Sequence, residues 1–219
     1  MVDKAPMERM RTIKIPPVGL EGLLGLPTSA RGIVLFAHGS GSGRFSPRNN
    51  FVAEALRQAG LATLLFDLLT DEEARDRRNV FDIALLAERL SMAAAWARDD
   101  TETATLALGY FGASTGAAAA LVAAAADRGR VAAIVSRGGR PDLAGSRLGS
   151  VKAPTLLIVG GDDIQVLALN RAALAELRCD KKLVVVPGAT HLFEEPGTLE
   201  AVVEHARGWF LAHFGEAGG

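Results

Sequence analysis

Residues 105–126 read TLALGYFGASTGAAAALVAAAA: an apolar run, the pentapeptide Gly112-Ala113-Ser114-Thr115-Gly116, and an alanine-rich stretch of helical composition. Strand, sharp turn and helix in that order are the setting in which G-x-S-x-G becomes a nucleophile elbow. To stand a serine oxygen clear of a sheet, the backbone must turn abruptly in a strained conformation, and side chains two positions to either side would collide. Glycines occupy both places.

Outward from this point the chain alternates. Apolar runs of strand length lie at 32–37, 61–66, 105–111, 131–135, 155–159 and 183–186, and helix-length segments at 47–59, 79–97, 115–126, 166–177 and 196–214. Strands that are apolar throughout and alternate with helices predict a parallel sheet covered on both faces, a doubly wound α/β class. Residues 12–15 and 20–26, separated by Pro16-Pro17-Val18-Gly19, read as two short strands forming an antiparallel edge. The alanine run suits close helix packing beneath the elbow.

The chain of 219 residues, 49% of them hydrophobic, reads as a single domain over 1–219 with one sizeable core. With 24 basic and 25 acidic residues it carries no global field for nucleic acid or an anionic membrane, so a small neutral partner fits best. Residues 1–11 are charged and mixed with no apolar leader core, and no run of about 18 apolar residues follows, which predicts a soluble, unexported protein in the cytoplasm. The single cysteine, Cys179, allows no internal disulfide and belongs to no Cys/His cluster, so neither a metal site nor a cofactor site is expected.

A serine hydroxyl needs a general base, most often histidine. His205 and His213 fall in the last amphipathic segment near Trp209 and Phe210, where packing or surface roles are expected. His38 closes the run 32–37 and precedes Gly39-Ser40-Gly41-Ser42-Gly43, and reads as a loop-stabilising group. His191 follows the run 183–186 by a short loop and so stands beyond a carboxyl end of the sheet, where open α/β sheets bind ligands. Gly160-Gly161-Asp162-Asp163 lies past another carboxyl end. The first aspartate after Gly161 serves a turn more readily, which makes Asp163 the expected orienting acid and Asp162 the alternative. The order Ser, Asp, His is the one a G-x-S-x-G elbow opens. Two N–H groups must receive the developing oxyanion. They are expected from Thr115, after the nucleophile, and from Ser40 in the glycine-rich loop, with Gly41 as its neighbour.

Taken together, His38-Gly39-Ser40-Gly41-Ser42, Ser46-Pro47-Arg48-Asn49, Phe66-Asp67-Leu68-Leu69-Thr70, the elbow, Ser136-Arg137-Gly138-Gly139-Arg140, Gly160-Gly161-Asp162-Asp163 and Gly188-Ala189-Thr190-His191 resemble the dienelactone hydrolase-like branch of the α/β-hydrolase superfamily. The resemblance implies a cofactor-free hydrolase with nucleophile, aspartate and histidine on a capless sheet. Dienelactone hydrolases proper carry cysteine at the nucleophile position. Ser114 stands there instead, which favours ordinary ester chemistry over lactones. Arg48, Asn49, Arg137 and Arg140 are candidates for a substrate carboxylate, or else ties between loops.

Two other readings compete. Nucleotide binding at 39–43 fails in detail, because G-x-G-x-x-G is broken by Arg44 and no Lys-Ser/Thr follows for a P-loop. A non-catalytic protein that keeps the fold is the second. Finally, only about 20 residues separate the runs ending at Val135 and starting at Thr155, too few for a cap domain. An open, shallow site that favours short, soluble esters is therefore expected.

Overall fold

The computed structural model describes residues 9–127 and 129–215, so the sequence reading of residues 1–8 lies outside the described part. Among the described residues eight strands form one sheet in the order β1-β2-β4-β3-β5-β6-β7-β8. Strands β3 (Gly32–Ala37), β4 (Ala62–Phe66), β5 (Ala107–Ala113), β6 (Ala133–Arg137), β7 (Thr155–Gly160) and β8 (Lys181–Val186) run parallel. The strands β1 (Arg9–Ile15) and β2 (Leu20–Leu26) form the antiparallel edge that the sequence predicts.

Every residue of β3, β4, β6 and β7 is buried, as expected for strands covered by helices on both faces. Helices α1 (Pro47–Gln58) and α6 (Thr198–His213) cover one face, packing Val52, Leu56, Val202 and Phe210 onto Val34, Phe36 and Phe111. Helices α3 (Ile83–Asp99), α4 (Thr115–Ala126) and α5 (Ile164–Glu176) cover the other. The segment 79–97 is not one helix. Asp76 caps a four-residue helix α2 (Arg77–Val80), the chain breaks at Phe81, and Asp82 then caps α3 by accepting from Leu85 N at 3.0 Å. Helix α4 is alanine on nearly every side, and its small side chains let it lie against α3 and the sheet at once.

Strand order, not strand direction, reverses at β3: β4 is added on one side of it and β5 on the other. From β3 the chain leaves to α1 on one face, and from β5 to α4 on the other, so a crevice opens between the two strand ends. No cap follows β6. Residues 136–154 hold only the strand end and two 3-10 turns, Pro141–Ser150, joined at Gly145.

Candidate active site

At the end of β5 the backbone turns through Ser114 with φ 51° and ψ −122°, a left-handed conformation that a non-glycine residue adopts at a cost of ~1–3 kcal/mol. The turn is tight on both sides. A side chain on Gly116 would strike the carbonyl oxygens of Ala37 and His38, and one on Gly112 would sit 2.8 Å from Ala117 N. The elbow is pinned to the loop after β6: Ser114 N donates to Arg137 O at 3.3 Å, and Arg140 N donates to Ser114 O at 3.0 Å.

Beyond β7 and β8, the structure brings His191 and Asp163 together, with Nδ1 and Oδ2 2.7 Å apart. Asp163 begins α5, yet its side chain caps no helix N–H and turns to the imidazole instead. Its charge sits at the positive end of the helix dipole. Asp162 is exposed and contributes its backbone N–H to Ala189 O at 3.0 Å, the turn role expected of it. Nδ1–H donation to the carboxylate leaves Nε2 as the free basic nitrogen. Gly138, with φ 50°, lies where a Cβ would be 3.0 Å from His191 O. The loop that holds Ser114 on one side therefore touches His191 on the other. Ser114 Oγ itself makes no hydrogen bond among the described residues, and such bonds often close only when substrate is bound.

The loop after β3 lies against the elbow. A Cβ on Gly39 would fall 3.0 Å from Ser114 Cβ, so glycine permits the approach. His38 orients this loop from beneath. Its Nε2 accepts the Leu68 N–H at 3.0 Å, which assigns the proton to Nδ1, and Nδ1 lies 3.0 Å from Gly39 O. Burial drives the imidazole below its ordinary pKa, against weaker opposing pulls from the Gly39 carbonyl and Asp67. Carbonyl and N–H of one trans peptide point in opposite directions, so fixing Gly39 O also fixes the direction of the Ser40 N–H. Ser40 and Thr115 both face one cavity of about 230 Å³.

That cavity departs from the shallow site expected of the short 136–154 segment. Its walls come from the other flank of the crevice, where Leu68, Leu69, Ala74, Val80 and Leu86 close around the loop after β3. Sequence reasoning also missed two positioning side chains. Asn170 of α5, fully buried, donates to Gly139 O at 2.9 Å and so holds the loop between Ser114 and His191. Glu195 accepts from Thr190 N at 3.1 Å and from Thr190 Oγ1 at 2.6 Å, fixing the residue before His191. A buried asparagine in a helix otherwise read by its apolar residues was the available signal for the first.

A model of the dienelactone hydrolase family matches residues 20–212. The chain belongs to that family. A dienelactone hydrolase from Anabaena variabilis is 56% identical and superposes with a TM-score of 0.91 over 96% of this chain and 99% of that one. An α/β serine hydrolase without a lid from Xanthomonas campestris shares the fold at 22% identity, with a TM-score of 0.75 over 94% of each chain. Two Mycobacterium tuberculosis proteins, strains CDC 1551 and H37Rv, each named a putative phosphoribosyl transferase, are 64% identical over 197 residues. Those residues are 90% of this chain and 44% of theirs, so the chain spans less than half the length of these curated relatives.

In this member of the dienelactone hydrolase family the four candidate polar residues part company. Arg140 forms a bidentate pair with Asp142 at 2.9 and 2.7 Å, and Arg48 reaches Glu194 at 2.9 Å; both tie loops. Asn49 is buried, with no donor to its side-chain oxygen. Arg137 is buried with Nε and Nη1 unpartnered, and burial first, then the nearby charge of Arg48, pulls its pKa down to about 10. His213 bonds Trp209 O at 2.8 Å within α6. Among the described residues no group of three or more His, Cys, Asp or Glu side chains converges as a metal-ligand set, and no helix is long and apolar enough to cross a membrane.

Proposed function

We propose that the chain is a serine hydrolase of small carboxylic esters, lactones included, working through an acyl-enzyme on Ser114 with His191 as base and Asp163 as its orienting acid. The observation that carries this reading is the left-handed Ser114 at a strand–helix elbow, sharing one loop with a histidine whose Nδ1 is already held by a carboxylate. His191 Nε2 takes the Ser114 proton as Oγ attacks the carbonyl carbon. The N–H groups of Thr115 and Ser40 receive the oxyanion. When the tetrahedral intermediate collapses, the bond to the alcohol oxygen breaks and the imidazolium returns its proton to that oxygen. Water then attacks the acyl-enzyme by the same route, its proton passing through His191 to Ser114 as the acid leaves. The reaction needs no metal and no cofactor, and the partner is a small-molecule ester rather than nucleic acid or membrane.

The whole chain, 1–219, acts in this reading as one α/β-hydrolase domain of the cytoplasm. The transferase name of the Mycobacterium tuberculosis relatives belongs to proteins most of whose length lies outside the match, and the Ser114, His191 and Asp163 constellation favours ester hydrolysis in this part. Labelling with a fluorophosphonate tests the reading. Modification mapped to Ser114, with turnover of p-nitrophenyl acetate, supports it. Absence of both, with a nucleotide-dependent change in fluorescence, supports a binding role instead.

A further inference from the structure

Resting on the acyl-enzyme reading above, we infer that the cavity between the oxyanion loop and residues 68–86 is the acyl pocket, and that it takes a compact, uncharged, apolar acyl group. Proton transfer sets the sidedness. The general acid must reach the leaving oxygen, so the alcohol half of the ester lies beside His191. The cavity touches Ser40 and Thr115 but neither Ser114 nor His191; it adjoins the two N–H donors proposed for the oxyanion and not the proposed base, which assigns it to the remaining substituent on the carbonyl carbon, the acyl chain.

Volume sets the size. A cavity of about 230 Å³ holds on the order of eight water-sized groups at ~30 Å³ each. That accommodates a hexanoyl, branched or phenylacetyl group and leaves the rest of a decanoyl chain in water. Chemistry of the lining sets the class. Leu68, Leu69, Ala74, Val80 and Leu86 offer no polar side-chain atom, and no Lys or Arg lines the space. The charged side chains that do are Asp67, which Arg44 engages, and Asp71, exposed and without an ion pair among the described residues. An acyl group that ends in a carboxylate meets like charge there.

The wall is a built structure. Glu73 Oε2 accepts from Thr70 N at 2.9 Å while Thr70 Oγ1 accepts from Glu73 N at 3.2 Å, a reciprocal pair of bonds across the turn that leads into the 3-10 turn Glu73–Arg75. Arg89 of α3, itself buried, grips Glu73 Oε1 at 2.6 Å, and Asn79 Nδ2 donates to Glu73 O at 2.9 Å. Ala74 and Val80 are thereby held at fixed positions on the cavity.

The test compares two ester series on the full chain. One varies the acyl group of p-nitrophenyl esters through acetate, hexanoate, phenylacetate, decanoate and the glutarate monoester; the other varies the alcohol of acetates from phenyl to naphthyl. Wild type is expected to favour hexanoate and phenylacetate over acetate in kcat/KM by about tenfold or more, to gain nothing further at decanoate, and to disfavour the glutarate monoester. Val80→Trp fills the cavity, and Ala74→Trp does so from an exposed position that tolerates the change in folding. Each is expected to cut the phenylacetate-to-acetate ratio about tenfold while the naphthyl-to-phenyl ratio holds. A shift confined to the alcohol series, a preference for the glutarate monoester, or unchanged acyl ratios in both folded variants overturns the assignment. If wild type turns over no ester and takes up no fluorophosphonate at Ser114, the hydrolase reading itself falls.

Discussion

The backbone N–H of Leu68 donates to Nε2 of His38 at 3.0 Å, joining the wall of the cavity to the loop that carries the Ser40 N–H. His38→Asn keeps a donor near Gly39 O and loses the acceptor for Leu68. His38→Gln keeps an acceptor at the Nε2 position and loses the bond to Gly39. Both are expected to lower kcat by on the order of tenfold to a hundredfold with KM little changed, because a misdirected donor weakens the transition state more than the ground state. A rise in KM at constant kcat would contradict this role.

The same histidine links stability to pH. Burial holds its folded pKa below the ordinary 6.5. The unfolded chain therefore binds this proton at higher pH than the folded chain does, so the stability is fully present above about pH 6.5 and declines as pH falls below it. Between about pH 7.5 and about pH 5.5, Tm of the wild type is expected to fall more steeply than Tm of His38→Asn. Parallel curves in a pH-resolved melting series would show that His38 carries no such linkage.

Ser114→Ala is expected to abolish the p-nitrophenol burst and fluorophosphonate uptake with circular dichroism unchanged, and His191→Ala to lower kcat by several orders of magnitude. Asp163→Asn should cost more than Asp162→Asn, since only Asp163 lies against the imidazole at 2.7 Å. Steady-state kinetics of the two asparagine variants decide it. A larger loss in Asp162→Asn reverses the order.

Glycines on this chain divide by what surrounds them. Gly116→Ala drives a methyl group into the Ala37 and His38 carbonyls and is expected to cost about 1–3 kcal/mol or more. Gly208 of α6 is exposed with open space around it, and Gly208→Ala is expected to add ~0.5–1 kcal/mol through helix entropy. Urea midpoints read both.

Arg137 buries a guanidinium with two unpartnered N–H edges. Replacing an unpaired buried charge by an apolar side chain of similar length is neutral or stabilising. Arg137→Met is thus expected to hold or raise the urea midpoint, and a loss of about 3 kcal/mol would show that the charge is compensated.

Local chemistry explains which parts of the molecule were readable. β3 and α4 begin and end where their residues suggest, because an apolar run bounded by His38, and alanines bounded by Ser114, leave little choice. β5 starts two residues late, since Leu106 spends its N–H on a turn to Thr103 O. The break before α3 turns on two aspartate caps only six residues apart, too close together for helical periodicity to resolve. Ser114, His191 and Asp163 were legible because each follows a strand at its carboxyl end. The cavity was not. Leu68, Val80 and Leu86 carry no signal of convergence, and only the reversal at Glu73 and its grip by Arg89 bring them together.

Ser114, Asp163 and His191, the proposed nucleophile, acid and base, follow β5, β7 and β8, whereas the apolar wall of the cavity is one contiguous stretch of chain from Leu68 to Leu86, in the first turn of α3. This separation makes the stretch an exchangeable cassette. Its two ends are anchored in the sheet and in a capped helix, so a transplanted wall that keeps the Leu68 N–H on His38 is expected to change what is accepted while Ser114, His191 and Asp163 stay in place. Divergence within the family, or selection in the laboratory, can explore new substrates by rewriting fewer than twenty neighbouring codons.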